Sequence, residues 1–265
     1  MSVKWLVEPE VFQEDEKPLM KALLLSGVPY VECKFGTPYE TYLQKFADGE
    51  TGVFHGSLQF GKLIKQKSRG IAVYCDLPKF ECTYYYPRFG EFLLNNQYVM
   101  LPIGELERRF NWLYNNLGWS GEVFIRPNSG YKLFPGDMVG KNDVKSFVRY
   151  SRTDPEDLIV VATPAKIHRE WRLVVVNNKV ITGGQYKENG EVVRKSDVPE
   201  DVLKYGQYVL ERVKYNPDPA WTLDICETED KNLWVLETNS FSCAGLYACD
   251  YEAVVREVNN GFGKC

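Results

Sequence analysis

Two short runs of strand-forming residues near the C-terminus, Trp221–Cys226 and Leu233–Glu237, flank the polar stretch Glu-Thr-Glu-Asp-Lys-Asn. Such runs, separated only by a turn, read as an antiparallel hairpin, and no other feature limits the fold as much. Glu170–Val176 and Lys179–Gly183 predict another hairpin around Asn177-Asn178, because asparagine tolerates the positive φ that a tight two-residue turn demands. Between the hairpins, Val202, Tyr205, Val209 and Val213 recur at helical spacing and predict a helix over Pro199–Val213. Hairpins separated by a helix imply an α+β layer.

The first hundred residues have a different rhythm. Val3–Val7, Val28–Cys33, Val53–His55, Ile71–Tyr74 and Tyr98–Leu101 read as strands, Leu19–Leu25 and Gly104–Leu117 as helices. Strands alternating with helices imply a parallel α/β layer. Glu14, Asp15, Glu16 and Pro18 suit a helix N-terminus, where the dipole favours negative charge and one amide is unpaired anyway. The expected organisation is an α/β domain over residues 1–95 and an α+β domain over residues 96–265.

Aromatic residues make up 14% of the 265 and charged residues 26%, a balance that builds a core and argues against disorder. A net charge of −4 argues against a large basic nucleic-acid footprint. No apolar stretch reaches the length of a membrane span. The seven cysteines form no CxxC pair. An odd count without a signal peptide reads as reduced thiols in the cytoplasm.

In the last hairpin, pairing Cys226 with Leu233 puts Asp224, Val235, Glu237 and Asn239 on one face. Two acids and an amide on one sheet face suit a Mg²⁺-nucleotide, which one or two carboxylates commonly hold. A one-residue slip in register reverses Asp224, and a solvated polar face is the plainer alternative. Arg126 ends an apolar strand and runs into a loop containing Ser129, Gly130, Lys132 and Gly136. Such a loop brings amides and a cation against phosphates, or serves as a structural turn; it lacks the Walker A pattern. Glu170 and Arg172 share a strand face opposite Trp171 and Leu173. By themselves they read as a surface ion pair worth less than about 1 kcal/mol.

The blocks VFIRPNSGYKLFPG, LIVVATPAKIHREWRLVVVNNKVITGGQYK and WTLDIC…LWVLETNSFSCAG together resemble the ATP-grasp family in order and spacing, over roughly residues 120–247. Asp, a hairpin and then Glu-x-Asn is the most specific part. The resemblance implies an ATP-grasp fold of two subdomains with the nucleotide site between them, after a Rossmann-like pre-ATP-grasp domain. It implies that Asp224, Glu237 and Asn239 bind Mg²⁺ bridging the ATP phosphates, and that Lys132 lies in the phosphate-covering loop. Arg126 stands where the family usually has a phosphate-binding lysine, an exchange seen in a bacterial and phage subgroup of unassigned substrate. Val160–Thr163 corresponds to the hinge, with Val161 and Thr163 offering backbone groups to adenine. Glu170, Arg172 and Lys187 correspond to the nucleotide or acyl-phosphate site, with Arg172 and Lys187 as the catalytic cations.

The implied reaction is ATP-dependent, ADP-forming ligation of a small-molecule or peptide carboxylate to an amine through an acyl phosphate. The same scaffold also supports a kinase, or a nucleotide-binding protein without catalysis. An unrelated α+β interaction protein is a further alternative. Cys243 follows the metal strand, but neither histidine is near it in sequence, so it reads as a small packing residue.

Overall fold

The computed structural model describes residues 3–34, 37–46, 50–68, 70–131 and 133–261, and for residues 13–16 the backbone alone. Lys132, assigned above to the phosphate-covering loop, lies outside the described residues. Three sheets follow one another along the chain.

The first holds β1 (Lys4–Val7), β2 (Tyr30–Glu32), β3 (Gly52–His55) and β4 (Ile71–Ala72) in the order β2-β1-β3-β4, all parallel. Its connections carry α1 (Gln13–Leu25), α2 (Glu40–Leu43) and α3 (Leu58–Lys67). Trp5, Leu6, Val53 and Phe54 are wholly buried, as the continuous apolar runs of a parallel sheet require. Ser57 caps α3, its hydroxyl accepting from the Phe60 amide at 3.2 Å. One local expectation fails. Because α1 starts at Gln13, Pro18 lies inside it and not in its first turn. Proline has no N–H, so the helix forgoes one internal bond there.

The second sheet comprises β5 (Tyr98–Pro102), β6 (Glu122–Pro127), β7 (Asp137–Gly140) and β8 (Leu158–Ala162), antiparallel in the order β5-β8-β6-β7. Its helices are α4 (Cys82–Phe89), α5 (Leu106–Leu117) and α6 (Val144–Ser151). The rhythm of the sequence groups Tyr98–Leu101 with the parallel layer; the strand belongs here instead, because its backbone pairs antiparallel with β8. Leu106, Phe110 and Leu113 of α5 pack on Val123, Ile125 and Ile159.

The third sheet holds β9 (Ile167–Val176), β10 (Lys179–Glu188), β11 (Glu191–Lys195), β12 (Ala220–Thr228) and β13 (Leu233–Ser240) in the order β11-β10-β9-β12-β13, with helices α7 (Glu200–Arg212) and α8 (Tyr251–Gly261). Both hairpins form. Asn177 and Asn178 turn the first at φ 48° and 63°.

Two compact units result. Met1–Asp76, His168–Ile225 and Glu237–Cys265 make the first; Leu77–Ile167 and Cys226–Leu236 make the second. The first unit's core joins Trp5, Val7, Leu19 and Leu23 to Val174, Val176, Phe241, Val254 and Val258. Among the described residues no helix is long and apolar enough to cross a membrane.

Candidate active site

The first unit gathers six of the expected site residues on the third sheet. Arg172 of β9 lies across from β12 and grips Asp224: Nε donates to Oδ1 at 2.8 Å and Nη2 to Oδ2 at 2.7 Å. Its Nη1 donates to the Gly245 carbonyl at 2.7 Å. Asp224 is wholly buried and Arg172 is 4% exposed. Burial opposes the guanidinium charge, but the paired Asp224 carboxylate outweighs it and raises the Arg172 pKa further. The surface ion pair expected between Glu170 and Arg172 is therefore corrected. Arg172 turns inward because β9 adjoins β12, a neighbour that local sequence does not name.

Glu170 meets different partners. The Tyr186 hydroxyl donates to its Oε2 at 2.7 Å, and Lys187 Nζ stands 3.5 Å from its Oε1. Burial pushes the Glu170 carboxyl above the usual glutamate range, against the hydrogen bond from Tyr186 and the charge of Lys187. A bulge produces this contact. Gln185 pairs with Trp171 and Lys187 with Glu170, so Tyr186 is the extra residue in β10. Tyr186 and Lys187 thereby both reach one carboxylate. Burial, then the Asp224 and Glu170 charges, raise the Tyr186 phenol well above its usual value, so it remains a neutral donor.

Asn239 joins the two acids of the last hairpin. Its Nδ2 lies 3.1 Å from Glu237 Oε1 and 3.3 Å from Asp224 Oδ2. Two carboxylate oxygens thus converge on a single positively polarised group, as they would on a cation. Rotating the amide by half a turn would present Oδ1 there instead. A set of two carboxylates and an amide oxygen suits a hard divalent ion such as Mg²⁺. Asp224 already accepts from Arg172 through both oxygens, so Glu237 is the acid better placed to bind one.

Sequence reasoning missed two aromatic residues here. Tyr186 and Tyr247 stack at 4.8 Å and 13°, and the Arg172 guanidinium lies 4.9 Å from the Tyr247 ring and 5.7 Å from that of Tyr186. Tyr186 stands beside Lys187 in the sequence, but only the bulge puts both on Glu170. Tyr247, after the last recognisable block, gives no signal. Gly184 faces Arg172 across the β9–β10 ladder. A Cβ on it would approach the Ala248 carbonyl carbon to 2.9 Å, so glycine lets the segment carrying Tyr247 lie close over the sheet.

Arg126, Val161 and Thr163 belong to the second unit. Arg126 lies in β6 opposite Val160 of β8. Val161 is buried mid-ladder between Val99 and Ile125, so its amide and carbonyl face neighbouring strands and not a ligand. Thr163, just past β8, donates its amide to the Gln97 carbonyl at 3.1 Å. It also lines a cavity of about 480 Å³ with Trp119, Pro164, Lys166 and Trp234.

Solved structures share this fold at low identity. A D-cycloserine synthetase, DcsG, superposes with a TM-score of 0.68 at 12% identity, over 97% of this chain and 99% of its own. The D-alanine–D-alanine ligase from Bacillus anthracis gives 0.66 at 12%, over 98% and 97%. The ATP-grasp ligase PsnB with its minimal precursor gives 0.59 at 14%, over 97% and 99%. No curated protein sequence matches the chain. The family model that describes an ATP-grasp domain, the second family of its clade, matches residues 106–256. That span is more than half of the chain and carries both hairpins with their acids, so the chain belongs to the ATP-grasp domain family.

Proposed function

We propose that this protein is an ATP-dependent, ADP-forming ligase that joins a carboxylate to an amine through an acyl phosphate. One observation carries the reading: the acids of the last hairpin, Asp224 and Glu237, converge on Asn239 beside a buried arginine. Family membership supports it. So do fold relatives whose names describe ligases and a synthetase, one of them solved with ATP.

Glu237 and Asn239, with Asp224 behind them, would hold Mg²⁺. When bound, that ion offsets the charge of the phosphate oxygens during transfer. Arg172, fixed at three points, positions Asp224 and the Gly245 carbonyl rather than moving with a phosphate. Lys187, with a side chain 39% exposed, is the cation with room to approach an anionic group, and Glu170 and Tyr186 steer it. By the family resemblance, Arg126 and Lys132 would meet phosphate and Thr163 would meet the base. Residues 1–95 form the pre-ATP-grasp domain, and the setting is cytoplasmic.

The reaction runs in two steps. A carboxylate oxygen of the substrate attacks the γ-phosphorus, and the bond to ADP breaks. An amine nitrogen then attacks the acyl carbon, inorganic phosphate leaves, and the nitrogen gives up a proton. No protein nucleophile is required.

Incubation with Mg²⁺-ATP and pools of amino acids and short peptides tests this. ADP release that needs both a carboxylate and an amine, with a product lighter than the summed substrates by one water, is expected. A stable phosphorylated product formed without an amine would convert the reading to a kinase. No ADP from any pool, with no thermal shift from nucleotide, would end it.

A further inference from the structure

The strand end after β4 and the loop after β13 meet through their backbones. The Ser242 amide donates to the Tyr74 carbonyl at 3.2 Å, and the Tyr74 amide donates to the Ser242 hydroxyl at 2.9 Å. With residues 74 and 242 bonded in both directions, the next residue on each segment, Cys75 and Cys243, falls side by side. Their thiols hydrogen-bond to each other and to the Ser240 hydroxyl. Lys65 adds a cation, its Nζ donating to the Cys75 carbonyl at 2.6 Å.

We infer that Cys75 and Cys243 form a reversible dithiol–disulfide site, oxidised by peroxide-class oxidants. The chemistry balances. The Cys75 thiolate attacks one peroxide oxygen, the O–O bond breaks, and a sulfenic acid and one water result after protonation. The Cys243 sulfur then attacks the Cys75 sulfur, its proton joins the departing hydroxyl, and a second water leaves. The peroxide takes up two electrons and the two thiols lose them, giving one S–S bond.

The electrostatics suit that division of labour. The Cys243 S–H, chiefly, together with Ser240 and Lys65, pulls the Cys75 pKa down against burial, whereas Cys243 is pushed up and stays protonated. Thiolate character is what an oxidant selects. Cys243 is partly exposed and gives an oxidant its access to the pair; Cys75 is buried, as are Cys33, Cys82, Cys226 and Cys249, and those four serve as internal controls for burial. The bond would tie the end of the first sheet to the loop that follows β13, in which Arg172 holds the Gly245 carbonyl. This inference does not depend on the ligase reading, because its readout is the state of the sulfurs.

The whole chain is treated with a few equivalents of hydrogen peroxide, alkylated under denaturing conditions and mapped by mass spectrometry. A cross-linked peptide pair containing Cys75 and Cys243, lighter by two hydrogens, should appear and vanish with dithiothreitol, while Cys33, Cys82, Cys226 and Cys249 stay alkylated. Cys243→Ser should abolish the cross-link and leave Cys75 as the sulfenic acid or its over-oxidised products. Cys75 and Cys243 both still alkylated in the treated wild type, or Cys33, Cys82, Cys226 and Cys249 oxidised to the same extent, overturns the inference. Because the wild-type map carries the result, a variant that folds poorly cannot obscure it.

Discussion

Arg172 and Asp224, 52 residues apart, are joined by two parallel N–H···O bonds of 2.8 and 2.7 Å in a place that water hardly reaches. A forked pair of this kind is stiff because the planar guanidinium matches the carboxylate at both oxygens. It fixes the orientation of Asp224, and the Nη1 bond to Gly245 fixes the loop that follows β13. The buried charges are also a liability, since each depends on the other.

Removing one partner should therefore cost more than removing both. Arg172→Leu leaves an uncompensated buried carboxylate and should lower unfolding free energy by about 3–5 kcal/mol. Arg172→Leu combined with Asp224→Leu should recover much of that loss, because neither charge remains. Urea unfolding of the two single variants and the double variant measures this; strictly additive losses would refute the coupling.

The identity of that partnership is not legible in the sequence, and the reason is physical. Alternation along β9 predicts that Glu170 and Arg172 share a face, but which strand lies alongside is decided by the fold of distant segments. The acids of the last hairpin are legible because their partner strand is only a turn away, so alternation and a short loop fix the face together. For the same reason Tyr98–Leu101 is recognisable as a strand, but its sheet is not, since β8 lies far along the chain. Tyr186 is invisible because a bulge shifts the register without a glycine to mark it. Cys75 and Cys243, 168 positions apart, meet only through the pairing of Tyr74 with Ser242.

Glu170 gives a pH prediction with a definite sign. Its folded pKa lies above the ordinary value of 4.5, so the folded chain holds this proton more tightly than the unfolded chain. The stability it contributes is complete below the ordinary value and is lost as pH rises through the raised one. The unfolding free energy of wild type relative to Glu170→Gln should fall as pH rises from below the ordinary glutamate value through the raised one. A difference that stays flat or climbs over that range would contradict the burial argument.

Glu237→Gln separates binding chemistry from folding. Glu237 is partly exposed and accepts one of the two bonds from the Asn239 side-chain amide, a bond that glutamine can also accept, so the amide isostere should fold with an unchanged melting temperature. It removes the charge needed for a divalent ion, so the thermal shift from Mg²⁺-ATP should largely disappear. Any nucleotide turnover should drop at least about 100-fold, the usual scale for losing one charge-stabilising group. An undiminished shift would remove Glu237 from the metal site.

Gly184 carries a steric prediction. A methyl group there meets the Ala248 carbonyl carbon at 2.9 Å and the Cys249 amide nitrogen at 3.0 Å. Both are backbone atoms that cannot rotate aside. Gly184→Ala should cost about 1–3 kcal/mol in urea unfolding, as overpacking does, and should lift Tyr247 from Tyr186. Tyrosine fluorescence and near-UV dichroism would report the lost stacking, and a silent substitution would mean that the 246–249 segment yields easily.

The β9–β10 turn tests whether asparagine is there for its backbone. Asn177 and Asn178 hold φ values of 48° and 63°, the pair of positive angles that a two-residue turn needs to match the twist of its strands. The Asn177 amide is also committed, donating to the Pro219 carbonyl at 2.8 Å just before β12 begins. The turn thus helps seat β9 beside the strand that carries Asp224. Asn178→Ala should cost about 1–2 kcal/mol, the penalty for a Cβ in the left-handed region. Asn178→Gly should be close to neutral, since glycine adopts that region freely but loses more chain entropy on folding. Equal losses for the two, measured by urea midpoint, would point to the asparagine side chain instead of its backbone angle.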